Sequence, residues 1–86
     1  MIASFTRDLA RDLGPRGITV NNIQLGPVDT DINPTEGPLA DTIKSMIALQ
    51  RYGRSEEVAG MVSYLASAEA DFVTDASLKI DGGFAA

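Results

Sequence analysis

Residues Ile18–Gln24 place β-branched apolar side chains on both faces of an extended segment, Ile18 and Val20 on one and Ile23 on the other. A strand that is apolar on both faces belongs inside a parallel sheet, covered by helices and flanked by other strands. It runs into Leu25-Gly26-Pro27-Val28-Asp29-Thr30, a Gly-Pro bend that ends in a hydroxyl. The carboxyl end of a strand, followed by such a bend, is where open α/β sheets hold ligands.

The chain offers this strand few neighbours. Its 86 residues allow one small domain, 1–86, and a chain of that size buries only about 60% of the surface its unfolded form exposes. Ile2, Phe5, Leu9 and Leu13 recur at helical spacing opposite Arg7, Asp8, Arg11 and Asp12, so an amphipathic helix precedes the strand and stops at Gly14-Pro15-Arg16-Gly17. Residues 25–38 hold three prolines and two glycines and read as a long ordered loop. Pro38 opens a second helix with a stripe of Leu39, Ile43, Met46, Ile47 and Gln50. Ser55 reads as the N-cap of a third, with Glu56 and Glu57 in its first turn and Val58, Met61, Val62 and Leu65 on its apolar face. Leu78 and Ile80 alternate with Ser77, Lys79 and Asp81 in a short closing strand before Gly82-Gly83, and Phe84 to Ala86 form an apolar tail suited to docking on a neighbour. The expected order is helix, strand, helix, helix, strand, with two parallel strands and one unpaired edge near Val20 and Ile23.

Composition removes whole classes of chemistry. There is no Cys and no His, so disulfides, thiol nucleophiles, zinc sites and Ser-His schemes lack their essential group. A net charge of -5 gives no basic footprint for nucleic acid. No apolar run approaches a membrane span or a signal segment, so no membrane partner and a cytoplasmic location are expected.

Few motifs remain. The bend at Gly26–Thr30 offers paired backbone donors and acceptors beside a hydroxyl, the recognition set for an amide-bearing ligand; equally, it reads as a plain strand-to-loop turn in which Thr30 or Asp31 caps the next segment. Asp29, Asp31 and Asn33 have the opening spacing of a calcium loop, but Pro34 and Ala40 stand where glycine and a closing Glu are needed, so no metal site is expected. Gly14 and Gly17 lie between helix and strand, the reverse of a phosphate-cradling loop. Tyr52 and Tyr64 are the two phenols; Glu56 and Ala68 follow them by four residues, so neither has a Lys one turn later, and both read as partly buried packing groups. No catalytic residue is assigned.

Phe5-Thr6-Arg7, Leu9-Ala10, Leu13-Gly14, Arg16-Gly17-Ile18-Thr19-Val20-Asn21, Gly26-x-Val28-x-Thr30, Arg51-Tyr52-Gly53-Arg54-Ser55-Glu56-Glu57-Val58-Ala59 and Asp81-Gly82-Gly83 together span the chain. In order and spacing they resemble the C-terminal third of a short-chain dehydrogenase/reductase, of the 3-oxoacyl-ACP-reductase-like kind. The resemblance implies the C-terminal part of a Rossmann-type doubly wound sheet and an NAD or NADP cofactor in the full-length family. It also implies contacts to the nicotinamide carboxamide from the backbone of Gly26 and Val28 and the hydroxyl of Thr30, with residues 31–50 as a substrate lid. Leu25, Ser55 and Asp75 depart from the family, which favours Pro, Pro and Gly there. The family's glycine-rich loop, catalytic Ser and Tyr-x-x-x-Lys pair find no counterpart, so the implied function is part of an NAD(P)-dependent oxidoreductase acting on a carbonyl or hydroxyl substrate, inactive alone. The Gly-Pro-Val-Asp-Thr stretch also resembles family members that bind cyclic-di-GMP and mediate biofilm dispersal, which implies a regulatory alternative. An inert, self-associating piece is the third expectation, its partner a second copy or a missing N-terminal part.

Overall fold

A computed structural model describes residues 1–30 and 34–84. The amphipathic pattern at the start folds as helix α1, Ile2–Leu13, and Gly14–Arg16 closes it in a single 3₁₀ turn ending on Gly17 at φ 75°. Strand β1 is Asn22–Leu25 and strand β2 is Ser77–Ile80; they pair in parallel with Ile23 opposite Leu78 and Leu25 opposite Ile80. Between them lie α2, Pro38–Ser45, and α3, Ser55–Leu65. The order and the parallel pair are those expected, and among the described residues β1 has no strand on its other edge.

β1 begins four residues later than the β-branched run. From Val20 onward side chains replace the ladder: Val20 N–H donates to Thr74 Oγ1 at 3.0 Å, Asn21 Nδ2 donates to the Val73 carbonyl at 3.1 Å, and Asn21 Oδ1 accepts the Ala76 N–H at 3.0 Å. Asn21 thus presents a donor and an acceptor as a peptide would. The Asp75 N–H donates to the Val20 carbonyl at 2.8 Å from φ 57°, the left-handed region that favours glycine.

The second helix is shorter than its stripe. α2 stops at Ser45, and Met46–Gln50 turn back, Gln50 at φ 59°, so that Ile47 becomes the most deeply buried large side chain at 2% exposure. Leu49 N–H donates to the Gly82 carbonyl at 3.0 Å, and Ile47 and Phe84 form an isolated antiparallel bridge. The tail residue Phe84 is thus tied to the chain by its backbone, with its side chain still exposed. Leu39 faces outward at 73% exposure. The N-cap of α3 is Arg54, with Ser55 already helical: the Glu57 carboxylate reaches back to the Arg54 N–H at 2.9 Å, the reciprocal half of a capping box, which a serine one residue later cannot displace.

Packing is uneven. On α1 the buried residues are Thr6 and Ala10, whereas Ile2 and Phe5 of the apolar stripe are 66% and 64% exposed. Thr6 bonds to Asn22, which bonds on to Ser77, so a polar line ties the helix to both strands. No described residue of α3 is fully buried, and Tyr64, expected to be partly buried, is exposed; Tyr52 is buried as expected. The Cα radius of gyration is 15.5 Å, against about 12 Å for a compact domain of this length. The chain exposes 6270 Å², roughly 1,400 Å² more than a compact monomer of its mass. No described helix is long and apolar enough to cross a membrane.

Candidate functional site

The bend after β1 is held from two sides. Gly26 N–H donates to the Ile80 carbonyl at 3.1 Å, extending the sheet by one bond. A Cβ on Gly26 would lie 2.7 Å from Asp81 Cβ and 2.8 Å from Asp81 Cα, so only glycine allows β1 and the end of β2 to approach this closely. Its amide is thereby committed to the sheet, which leaves its carbonyl for any ligand.

Two residues further on, Val28 forms an isolated parallel bridge with Gly53. Gly53 N–H donates to the Pro27 carbonyl at 2.9 Å, and Asp29 N–H donates to the Gly53 carbonyl at 2.8 Å. In that pattern the peptide groups of Pro27 and Asp29 face Gly53, so the bridge holds the backbone on both sides of Val28. Thr30 lies beyond the bridge, exposed, beside Asp29, Arg54 and Ser55 in an open hollow of about 400 Å³. A second cavity, about 500 Å³, is lined in part by Val28, Gly53, Arg54, Lys79 and Asp81. Gly26, Val28 and Thr30 thus lie along one bend at the carboxyl end of β1.

The bridge partner has its own support. Arg51 Nη1 and Nη2 donate to Glu57 Oε1 and Oε2 at 2.8 and 2.9 Å, a bidentate pair. Nη1 also meets the Tyr52 carbonyl at 3.1 Å, and Glu57 Oε1 accepts the Arg54 N–H. Hydrogen bonds from Arg51, then from the Arg54 backbone, lower the Glu57 carboxyl to about 2, and the same carboxylate raises the Arg51 guanidinium above its ordinary value. Sequence reading by itself assigned Glu57 only to the charge of a helical first turn; the signal for more was its place three residues after Arg54, where a side chain returns to the cap.

Among the described residues no group of His, Cys, Asp and Glu is placed to hold a metal ion. Of the calcium-loop reading, Asp31 and Asn33 lie outside the described residues.

Comparison with known proteins agrees with this geometry. A family model described as enoyl-(acyl carrier protein) reductase matches residues 1–85. The chain is 55% identical over 85 residues to the cyclic-di-GMP-binding biofilm dispersal mediator protein of Escherichia coli K12, covering 99% of this chain and 36% of that protein. It is 43% identical over 84 residues to the 3-oxoacyl-[acyl-carrier-protein] reductase FabG of Pseudomonas aeruginosa, covering 95% and 34%. A short-chain dehydrogenase from Burkholderia cenocepacia J2315, solved in complex with NADP, superposes with a TM-score of 0.90 at 45% identity over 99% of this chain and 35% of its own. The chain spans about a third of the length of the curated relatives it matches. With a matching family model over nearly its whole length and the same α/β architecture in a solved relative, the chain belongs to the short-chain dehydrogenase/reductase family, as its C-terminal, Rossmann-type portion.

Proposed function

We propose that this chain supplies the nicotinamide end of the cofactor site in an NADP(H)-dependent oxidoreductase that acts on a carbonyl or hydroxyl substrate. The observation that carries this is the bend at the carboxyl end of β1, held by the Gly26 approach to Asp81 and by the bridge to Gly53, in a chain that superposes on a relative solved with NADP. Bound there, the cofactor would supply hydride transfer. The chain's own residues do the positioning: the backbone of Gly26 and Val28 borders the carboxamide along the bend, and the Thr30 hydroxyl adds a further contact. Gly26 also keeps the strand ends close enough to fix the bend.

Protonating a developing alkoxide requires an acid with a lowered pKa. Neither Tyr52 nor Tyr64 is followed by Lys at the fourth position, and Tyr52 is buried. The chain alone is accordingly without turnover. Titration of the isotope-labelled chain with NADPH should shift the amide signals of Val28, Asp29 and Thr30 and leave those of α1 in place; shifts spread without preference, or none, would sink the proposal. NADPH oxidation by the purified chain in the presence of a ketone would overturn the inactive part of it.

The identity to the Escherichia coli protein favours a second reading, cyclic-di-GMP binding. Two phosphates require free cations. Around the bend, Arg51 and Arg54 both meet Glu57, which weakens this reading for the chain alone. Calorimetry with cyclic-di-GMP and with NADPH separates the two. The excess exposed surface supports one more element of the proposal: the open edge of β1 is covered, by the remaining strands of the fold in a longer protein or by a second copy of the isolated chain. Sedimentation of the isolated chain should show a dimer or larger species, and a dispersed monomer at high concentration would refute self-association.

A further inference from the structure

The two peptide units on either side of Gly53 each make a bond in both directions. In the unit joining Tyr52 to Gly53, the carbonyl accepts Arg51 Nη1 at 3.1 Å, and the N–H donates to Pro27 at 2.9 Å. In the unit joining Gly53 to Arg54, the N–H donates to Glu57 Oε1 at 2.9 Å, and the carbonyl accepts the Asp29 N–H at 2.8 Å. Each peptide is planar, so an anchor on one side fixes the direction of the group on the other. Charge works in the same sense. A cation at the Tyr52 oxygen polarises its peptide and makes the Gly53 N–H a stronger donor; an anion at the Arg54 N–H makes the Gly53 oxygen a stronger acceptor.

We infer that the Arg51–Glu57 pair is a positioning device for the bend at Val28, acting through the two peptides of Gly53 and without itself touching the ligand. This rests on the reading of Val28 as a nicotinamide contact only for its purpose; the coupling concerns bonds within the chain.

Amide hydrogen exchange on the full chain tests it. The Asn22 and Gly26 amides, bonded to the Ala76 and Ile80 carbonyls, serve as references. Arg51→Met frees the Tyr52 carbonyl and should speed exchange at Gly53 by about tenfold relative to the references, with a smaller change at Asp29. Glu57→Gln removes the anion from the Arg54 N–H and releases Arg51, so both Gly53 and Asp29 should accelerate by about tenfold. Glu56→Gln takes the same charge from the same helical turn without touching either peptide, and should leave all four amides in step. Equal acceleration of all four in Glu57→Gln, no acceleration, or the same pattern in Glu56→Gln would overturn the inference, as would unprotected Gly53 and Asp29 amides in the unsubstituted chain. An NADPH titration on the same samples keeps the readings apart: absence of shifts at Val28 with the exchange pattern intact refutes the cofactor site and leaves the coupling standing.

Discussion

The corner where Gly26, Gly53 and Gly82-Gly83 meet and the outer faces of α1 and α3 are built on opposite terms. At the corner, backbone groups pair with one another across 2.8 to 3.4 Å, and Gly26, Gly82 and Gly83 admit approaches no side chain would. Ile47 is sealed beneath Gly82, where a Cβ would lie 2.9 Å from Ile47 Cγ2. On the outer faces, Ile2, Phe5 and Val62 stand exposed among the described residues, as does Phe72 beyond the end of α3. The backbone geometry of the corner is thus supplied within the chain, while its apolar layers await surface from elsewhere. Backbone pairing needs only one facing segment; burial of a doubly covered sheet needs whole layers on both sides.

If that contrast is right, substitutions at the corner must cost far more than those on the flanks. Ile47→Ala should have the largest effect, a loss of about 3 kcal/mol on chemical denaturation, because it empties a sealed site. Gly26→Ala should come next at about 2 kcal/mol, since the new methyl meets backbone at Asp81, and it should abolish amide protection along β1; a cost under about 0.5 kcal/mol would mean the strand ends are not held as described. The charged pair adds a smaller, pH-dependent part. Glu57 has a carboxyl held at about 2 in the folded chain against an ordinary 4.5, so its contribution is fully present above pH 4.5 and is lost as pH falls toward 2. Stability measured across that window should decline in the native chain, and Glu57→Gln should remove that part of the slope. Phe5→Ser should have the least effect, within about 0.5 kcal/mol, while reducing self-association seen in sedimentation.

The elements that periodicity made legible are those whose pattern is local. The first helix ends where Gly14-Pro15 interrupts it, and β2 matches the alternation of Leu78 and Ile80. Patterning located apolar faces without saying what covers them, so Leu39 and Phe5 carry core-type spacing and remain exposed. The start of β1 and the end of α2 were hidden for a different reason. Each is decided by a long-range bond, Asn21 to residues 73 and 76 and Leu49 to residue 82, that no window of neighbouring residues contains. At the bend, resemblance singled out Gly26, Val28 and Thr30 as residues for a ligand; the bridge to Gly53 and the Arg51–Glu57 pair behind it required coordinates.

The side chain of Asn21 has one more effect. Because its amide bonds one carbonyl at Val73 and one N–H at Ala76, it fits the opposing segment at a single offset. Sliding the strands by one residue would strand both ends of that amide and turn Ile23 to the wrong face. The alignment of the whole ladder is therefore indexed before its first rung, and so is the position at which the chain departs from the sheet into the bend.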